Sequence, residues 1–193
     1  DVRRETPAES ADEPARAVAT IKQYNGAPPL TIDPSKRYVA TIKTSRGNVV
    51  VELLPAQAPQ AVNNFAFLAR DGFYDGVTFH RVIPGFVAQA GDPTGTGIGG
   101  PGYDLIYEAN DAAFETGVLA VARPSEAGSP NNGSQFFFAL GRQPTLDGHS
   151  TVFGRVIEGL EVLKSLAPRD PQRDENAAPG EVIETITITE EQS

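Results

Sequence analysis

The chain has no cysteine, no methionine and only two histidines. No apolar run approaches the length of a membrane-spanning helix. Without cysteine there is no disulfide framework, thiol nucleophile or thiolate metal site. Without methionine the initiator is missing, so Asp1 reads as a processed or truncated start. Together with a tether-like beginning, that favours a secreted or membrane-anchored extracytoplasmic protein over a cytoplasmic one. Positive charge is scarce: 16 Lys and Arg stand against 25 Asp and Glu, a net charge of -9. Nucleic acid is therefore not expected as a partner. His80 lies beside Arg81 in an apolar strand and reads as a packed, hydrogen-bonded ring rather than a base or ligand. His149 follows Asp147-Gly148 and reads as exposed. Asp147, His149 and Ser150 carry the letters of a catalytic triad, but neighbours in one turn do not adopt triad geometry. The two histidines have no metal-ligand spacing, and neither a metal nor a cofactor is expected.

What remains suits one domain with an extension. The chain has 193 residues and 39 % hydrophobic content, so polar tails or loops dilute a normal core. Residues 1–36 are rich in Ala, Pro, Glu and Asp without a sustained period, and read as a tether. The Ala27–Leu30 segment is expected to lie extended against the domain. The domain itself is expected over 37–193. A hairpin is predicted from 38–44 and 48–54, and a helix from Pro59 to about Arg70, closed by Asp71-Gly72. Strands are predicted at 77–82, 86–90, 118–122, 135–139, 151–157 and 185–189, with a second short helix at 160–166. Gly95, Gly97 and Gly100 match the letters of a dinucleotide fingerprint, but Pro101-Gly102 stands where the helix would begin, so the stretch is a loop. About eight short strands with two helices predict a mainly β fold: a closed eight-stranded antiparallel barrel capped by two helices.

The chemistry concentrates in two stretches. In the first, Phe73–Asp92, Arg81 sits among Phe79, Val82 and Ile83, with Phe86 and Gln89 on the next strand. The second, Asn132-Gly-Ser-Gln-Phe-Phe-Phe138, adds another amide and more rings. A guanidinium beside apolar surface makes a fixed donor. One reaction needs little else: rotation about the peptide bond before proline, whose barrier is ~18–20 kcal/mol because the amide is conjugated. Twisting that bond restores a lone pair on the prolyl nitrogen, and a donor placed for the twisted geometry stabilises it preferentially.

Phe79-His-Arg-Val-Ile-Pro-Gly-Phe86 with Gln89 and Gly91-Asp92 resembles the cyclophilin signature. Asn132-Gly-Ser-Gln-Phe-Phe137, Leu146-Asp-Gly148 and Val152-Phe-Gly154 extend the match in the right order over about residues 38–190. The resemblance implies a peptidyl-prolyl cis-trans isomerase of the bacterial type, acting on proline-containing peptides and on unfolded or partly folded proteins, as a monomer. It implies Arg81 as the catalytic arginine, with Gln89 orienting it and bonding the substrate backbone. Phe86, Val87, Phe137 and Leu146 would line the proline pocket. Ala122 and Arg123 would offer main-chain groups to the residues before proline, and Gln135 would sit in the adjoining pocket beside the glycine-rich loop. Several positions depart from the family. Val87 replaces a common methionine and Arg123 a common asparagine. Ser150 aligns with the usual pocket histidine, and His149 stands one position early. Thr145 replaces a tryptophan of the eukaryotic type, which argues against tight cyclosporin binding. These departures keep a second reading open: a module that holds proline-containing peptides with little turnover.

Overall fold

The computed structural model describes residues 21–124, 129–174 and 176–191. β1 (Arg37–Thr44) and β2 (Gly47–Leu53) form the expected hairpin, in register from Val39↔Glu52 to Thr44↔Gly47. Alternation does the work: Tyr38, Ala40 and Ile42 of β1 and Val49, Val51 and Leu53 of β2 are buried, and the residues between them face outward. α1 (Pro59–Arg70) starts on a proline with no side-chain cap of its own. Its free N–H groups are instead met by a distant acid: Gln60 N and Ala61 N donate to the Glu108 carboxylate at 3.0 and 2.8 Å. Its apolar face packs on the sheet through Val62, Phe65, Leu68 and Ala69, and it ends at Gly72, whose φ of +68° suits glycine.

Then follow β3 (Arg81–Ile83), β4 (Val87–Ala90), β5 (Asp104–Leu105), β6 (Val118–Val121), β7 (Asn131–Asn132), β8 (Phe136–Ala139), a 3₁₀ turn (Pro144–Leu146), β9 (Val152–Glu158), α2 (Leu160–Lys164) and β10 (Ile183–Glu191). β5 and β7 pair with each other in a two-stranded sheet. The other eight strands form one antiparallel sheet in the order β10-β1-β2-β9-β6-β8-β4-β3. α1 packs against β10 and α2 against β2.

The closed barrel expected from the sequence is not what forms. The sheet is an open, curled half-barrel with free ends at β10 and β3, linked only by isolated bridges, Thr78↔Val182 and Val82↔Arg169. The predicted strand at 77–82 accounts for the difference. Val77–His80 is not a ladder strand, and only Arg81–Ile83 pairs regularly, with β4. Where the ends meet, Gly180 packs so tightly that a Cβ there would stand 2.0 Å from the Phe79 carbonyl oxygen.

Period-two alternation also separates two apolar clusters. Ala88 and Ala90, Leu119 and Val121, Phe136 and Phe138 point into the main core with α1. Val87, Val118, Ala120, Ala122, Phe137 and Ala139, the alternate residues of the same strands, point the other way. Phe114 and Val152 join them, with Phe86 and Leu146 packed at the margin.

Residues 21–36 run without regular structure along the domain. Tyr24 packs its ring against Phe67, Phe73 and Tyr103, donates its hydroxyl to Asp71 at 2.6 Å, and gives its N–H to the Pro101 carbonyl at 2.8 Å. Burial, with the Asp71 carboxylate beside it, pushes the Tyr24 phenol well above its ordinary range. Asn63 of α1 donates to the Pro29 carbonyl and accepts from Thr31 N. The first part of the predicted tether, residues 1–20, lies outside the described residues. Among the described residues no helix is long and apolar enough to cross a membrane.

Candidate active site

The outward-facing cluster is the floor of the site, and the ladder sets its edges. Arg81 pairs with Gln89, Gln89 with Phe137, and Phe137 with Ala120, so these four residues form one row across β3, β4, β8 and β6. Phe137 is buried and stacks on Phe114, with ring centroids 5.9 Å apart and planes 15° from parallel. The Arg81 guanidinium carbon stands 5.9 Å from the Phe86 ring centroid. Val87 is buried in the floor, and Leu146, from the 3₁₀ turn, is half-buried at its side. A charged donor therefore borders an apolar surface that ends in the half-exposed Phe86 ring.

Arg81 and Gln89 face each other across the strands but are not hydrogen-bonded. Gln89 Nε2 donates to Gln135 Oε1 at 2.9 Å. Gln135 Nε2 donates in turn to the Gly97 and Gly99 carbonyls at 3.0 and 2.8 Å. The Gln89 amide nitrogen is thus tied to the glycine loop through Gln135, while its oxygen makes no hydrogen bond among the described residues. Arg81 Nε is buried and has no hydrogen-bond partner, and the nearest acid is Asp170, with Nε 4.0 Å from Oδ1.

The glycine loop is organised from within. Asp92, buried, accepts from Thr94 N and Oγ1 (both 2.7 Å), Thr96 Oγ1 (3.4 Å), Gly97 N (2.5 Å) and Gly99 N (3.1 Å). Burial alone would raise its pKa, but these donors outweigh it and hold the carboxyl below its ordinary value. Gly91 precedes it at φ +94°, and a Cβ there would meet the Ser134 carbonyl oxygen at 2.3 Å. Only glycine lets β4 and the start of β8 come this close. Asn132 completes the corner, its Oδ1 accepting from Ser134 N at 2.9 Å and Gln135 N at 2.8 Å.

Ala122 and Arg123 stand differently toward the groove. Both main-chain groups of Ala122 are used: its N–H donates to Gln135 O and its carbonyl accepts from Asn132 N, each at 2.9 Å. Only its methyl group faces the floor. The Arg123 main chain makes no hydrogen bond among the described residues. Its guanidinium lies over the Tyr107 ring, 4.5 Å from the centroid, and Tyr107 donates its hydroxyl to Gly148 O at 2.5 Å. Ser150 is buried, while Thr145 and His149 are exposed.

His80 is packed as expected, but both ring nitrogens lack a hydrogen-bond partner. Burial lowers its pKa; Asp92 offsets this in part, and the Arg169 and Arg81 charges add to it. The Thr78 backbone lies near the ring without meeting hydrogen-bond geometry. Sequence reasoning missed Asp170, the Glu108 cap and the Tyr107–Arg123 stack. No group of three or more His, Asp or Glu side chains placed to hold a metal occurs among the described residues. A cavity of about 510 Å³ lies elsewhere, bordered by Arg46, Pro168, Arg169 and Pro179.

The fold and floor define a mainly β protein with an apolar groove edged by one arginine. Residues 39–189 match the family model for cyclophilin type peptidyl-prolyl cis-trans isomerase, and the chain belongs to that family. It is 48 % identical over 140 residues to a peptidyl-prolyl cis-trans isomerase of Helicobacter pylori, covering 70 % of this chain and 84 % of the relative. It is 50 % identical over 125 residues to peptidyl-prolyl cis-trans isomerase B of Bacillus subtilis, covering 64 % and 85 %. Among solved structures it is similar to a cyclophilin type isomerase of Cryptosporidium parvum, with TM-score 0.71, 33 % identity, and coverage of 80 % of this chain and 98 % of that one. The same protein was also solved in the presence of the dipeptide Ala-Pro, with TM-score 0.69 at 34 % identity.

Proposed function

We propose that Arg81 catalyses the rotation of Xaa-Pro peptide bonds by donating to the prolyl nitrogen as the amide twists. The activity is that of the family: peptidyl-prolyl cis-trans isomerisation. The observation that carries the site is the row Arg81–Gln89–Phe137–Ala120 beside an outward apolar floor. The proline ring rests on Phe86, Val87, Phe137 and Leu146, and the preceding residue turns. Conjugation gives the amide its ~18–20 kcal/mol barrier. A donor that reaches the nitrogen only in the twisted state lowers that barrier without tightening the ground state. Neither terminal nitrogen of Arg81 is hydrogen-bonded among the described residues, so both are free for this use. Arg123 offers its unpaired main chain to the residues before proline, which Ala122 cannot do. Gln135 closes the adjoining pocket by holding the glycine loop. Ser150, being buried, only backs the wall.

Substrates are proline-containing segments of unfolded or partly folded chains, and a monomer carries the whole site. Thr145 is exposed and small, so cyclosporin is not held tightly. The test is isomerisation of a short Xaa-Pro peptide with and without Arg81→Ala. Loss of one transition-state donor lowers the rate by about 10²–10³. Equal rates would remove Arg81 from the mechanism. Peptide binding without accelerated cis-trans exchange would make the protein a binding module.

A further inference from the structure

Arg81 faces a carboxylate from a distant loop. The antiparallel bridge Val82↔Arg169 is closed by Val82 N donating to Arg169 O at 2.7 Å and Arg169 N to Val82 O at 2.9 Å. One step along this pair, Arg81 stands opposite Asp170, as cross-strand neighbours do. The Arg169 guanidinium ties the same loop to the His80 carbonyl and, at 2.7 Å, to the Ala178 carbonyl.

The loop is stiff where it needs to be. Asp170 sits between Pro168-Arg169 and Pro171, and a following proline keeps Asp170 extended. A turn then folds back on it: Arg173 N and Asp174 N each donate to Asp170 O at 3.0 Å, and Gln172 N to Oδ1 at 3.2 Å. The Asp170 side chain is only 14 % exposed. It stands 4.0 Å from Arg81 Nε, which is buried and lacks a hydrogen-bond partner. Its other charged neighbour, Arg173, has Nε 3.5 Å away but is 86 % exposed, where water screens the pair. Gln89 gives its amide nitrogen to Gln135, and its oxygen makes no hydrogen bond with Arg81.

We propose that Asp170 is a positioning residue for the isomerisation. Its carboxylate holds the Nε edge of the Arg81 guanidinium, which turns the two terminal nitrogens toward the twisting amide. The contact is an ion pair in the free protein and shortens when substrate engages the far side of the fork. This rests on Arg81 being the donor.

The test uses the full chain with Asp170→Asn, Arg81→Ala and the double variant, measuring kcat and KM on an Xaa-Pro peptide. Asp170→Asn lowers kcat about tenfold, the size of one charge-assisted hydrogen bond, and leaves KM nearly unchanged. In the Arg81→Ala background the same change costs nothing further. Exchange of the Arg81 Nε proton, followed by NMR, is slow in the unaltered protein and fast in Asp170→Asn. The inference is overturned if Asp170→Asn leaves kcat intact, or costs the same with and without Arg81. It is equally overturned if the Nε proton already exchanges freely in the unaltered protein. Full activity in Arg81→Ala would instead overturn the donor reading itself.

Discussion

Gln89 and Gln135 are joined amide to amide at 2.9 Å, and this bond couples the catalytic strand to the glycine loop. Gln135 then spends its own amide nitrogen on the carbonyls of Gly97 and Gly99. Gln135→Ala therefore leaves the Gln89 amide and the Gly97 carbonyl without partners, while Gly99 O keeps the Asn132 amide at 3.3 Å. An unsatisfied group costs about 1–3 kcal/mol, so urea unfolding should show a loss of that order. Because Arg81 and the floor stay in place, kcat on a small Xaa-Pro peptide should fall less than in Arg81→Ala. A loss of stability below about 0.5 kcal/mol, the scale of an ordinary surface substitution, would mean the bond is not a structural link.

Tyr24 precedes the segment that matches the family, yet it is tied into the domain by three ring contacts and two hydrogen bonds. Tyr24→Ala should destabilise the domain by about 1–3 kcal/mol through lost ring packing. Isomerase activity under folding conditions should be unchanged, since no floor residue touches this ring. Denaturant midpoints of the two proteins check the first statement and a peptide assay the second. An unshifted midpoint would mean that the contacts of Tyr24 contribute nothing to stability.

The strands over 86–90, 118–122 and 135–139 were legible in the sequence, and the family resemblance placed Val87 and Phe137 in the pocket. These near-uniformly apolar runs did not show which alternate residues turn to the floor and which to the core. What was not legible depends on which distant segments meet. Asp170 sits in a charged, proline-bearing loop, and nothing local signals that a bridge to Val82 will set it against Arg81. The Gln89–Gln135 bond was not legible for the same reason: it depends on the glycine loop, whose Gly97 and Gly99 carbonyls hold the Gln135 amide in place. β5 and β7, two residues each, are too short to carry a period. The barrel failed to close because Val77–His80, apolar enough to look like a strand, makes only an isolated bridge.

The rate should be nearly flat between about pH 7 and 9. The guanidinium stays charged throughout this range, and the twist about the amide moves no net proton. His80 is neutral above its lowered pKa and has no open path to the floor. A peptide assay across this range, corrected for folded fraction, is the measurement. A bell-shaped profile would bring a titrating side chain into the reaction.

Stability, unlike rate, should depend on pH through His80. Its ring is 1 % exposed, and both nitrogens are unpaired. Burial depresses its pKa below the ordinary 6.5, helped by the Arg169 and Arg81 charges and opposed by Asp92. Between the depressed folded value and 6.5 the unfolded chain binds the proton and the folded chain does not. Unfolding is then favoured as pH falls: the contribution of His80 is fully present above 6.5 and is lost as pH drops through that window. One proton sets the limiting slope at about 1.4 kcal/mol per pH unit. Denaturant unfolding at pH 7.0, 6.0 and 5.5 should show this loss, and His80→Gln, which cannot take a proton, should flatten it. Carboxylates such as Asp92, whose pKa is also depressed, add their own loss only at lower pH. Equal slopes in the two proteins would show that the proton taken up on unfolding belongs elsewhere.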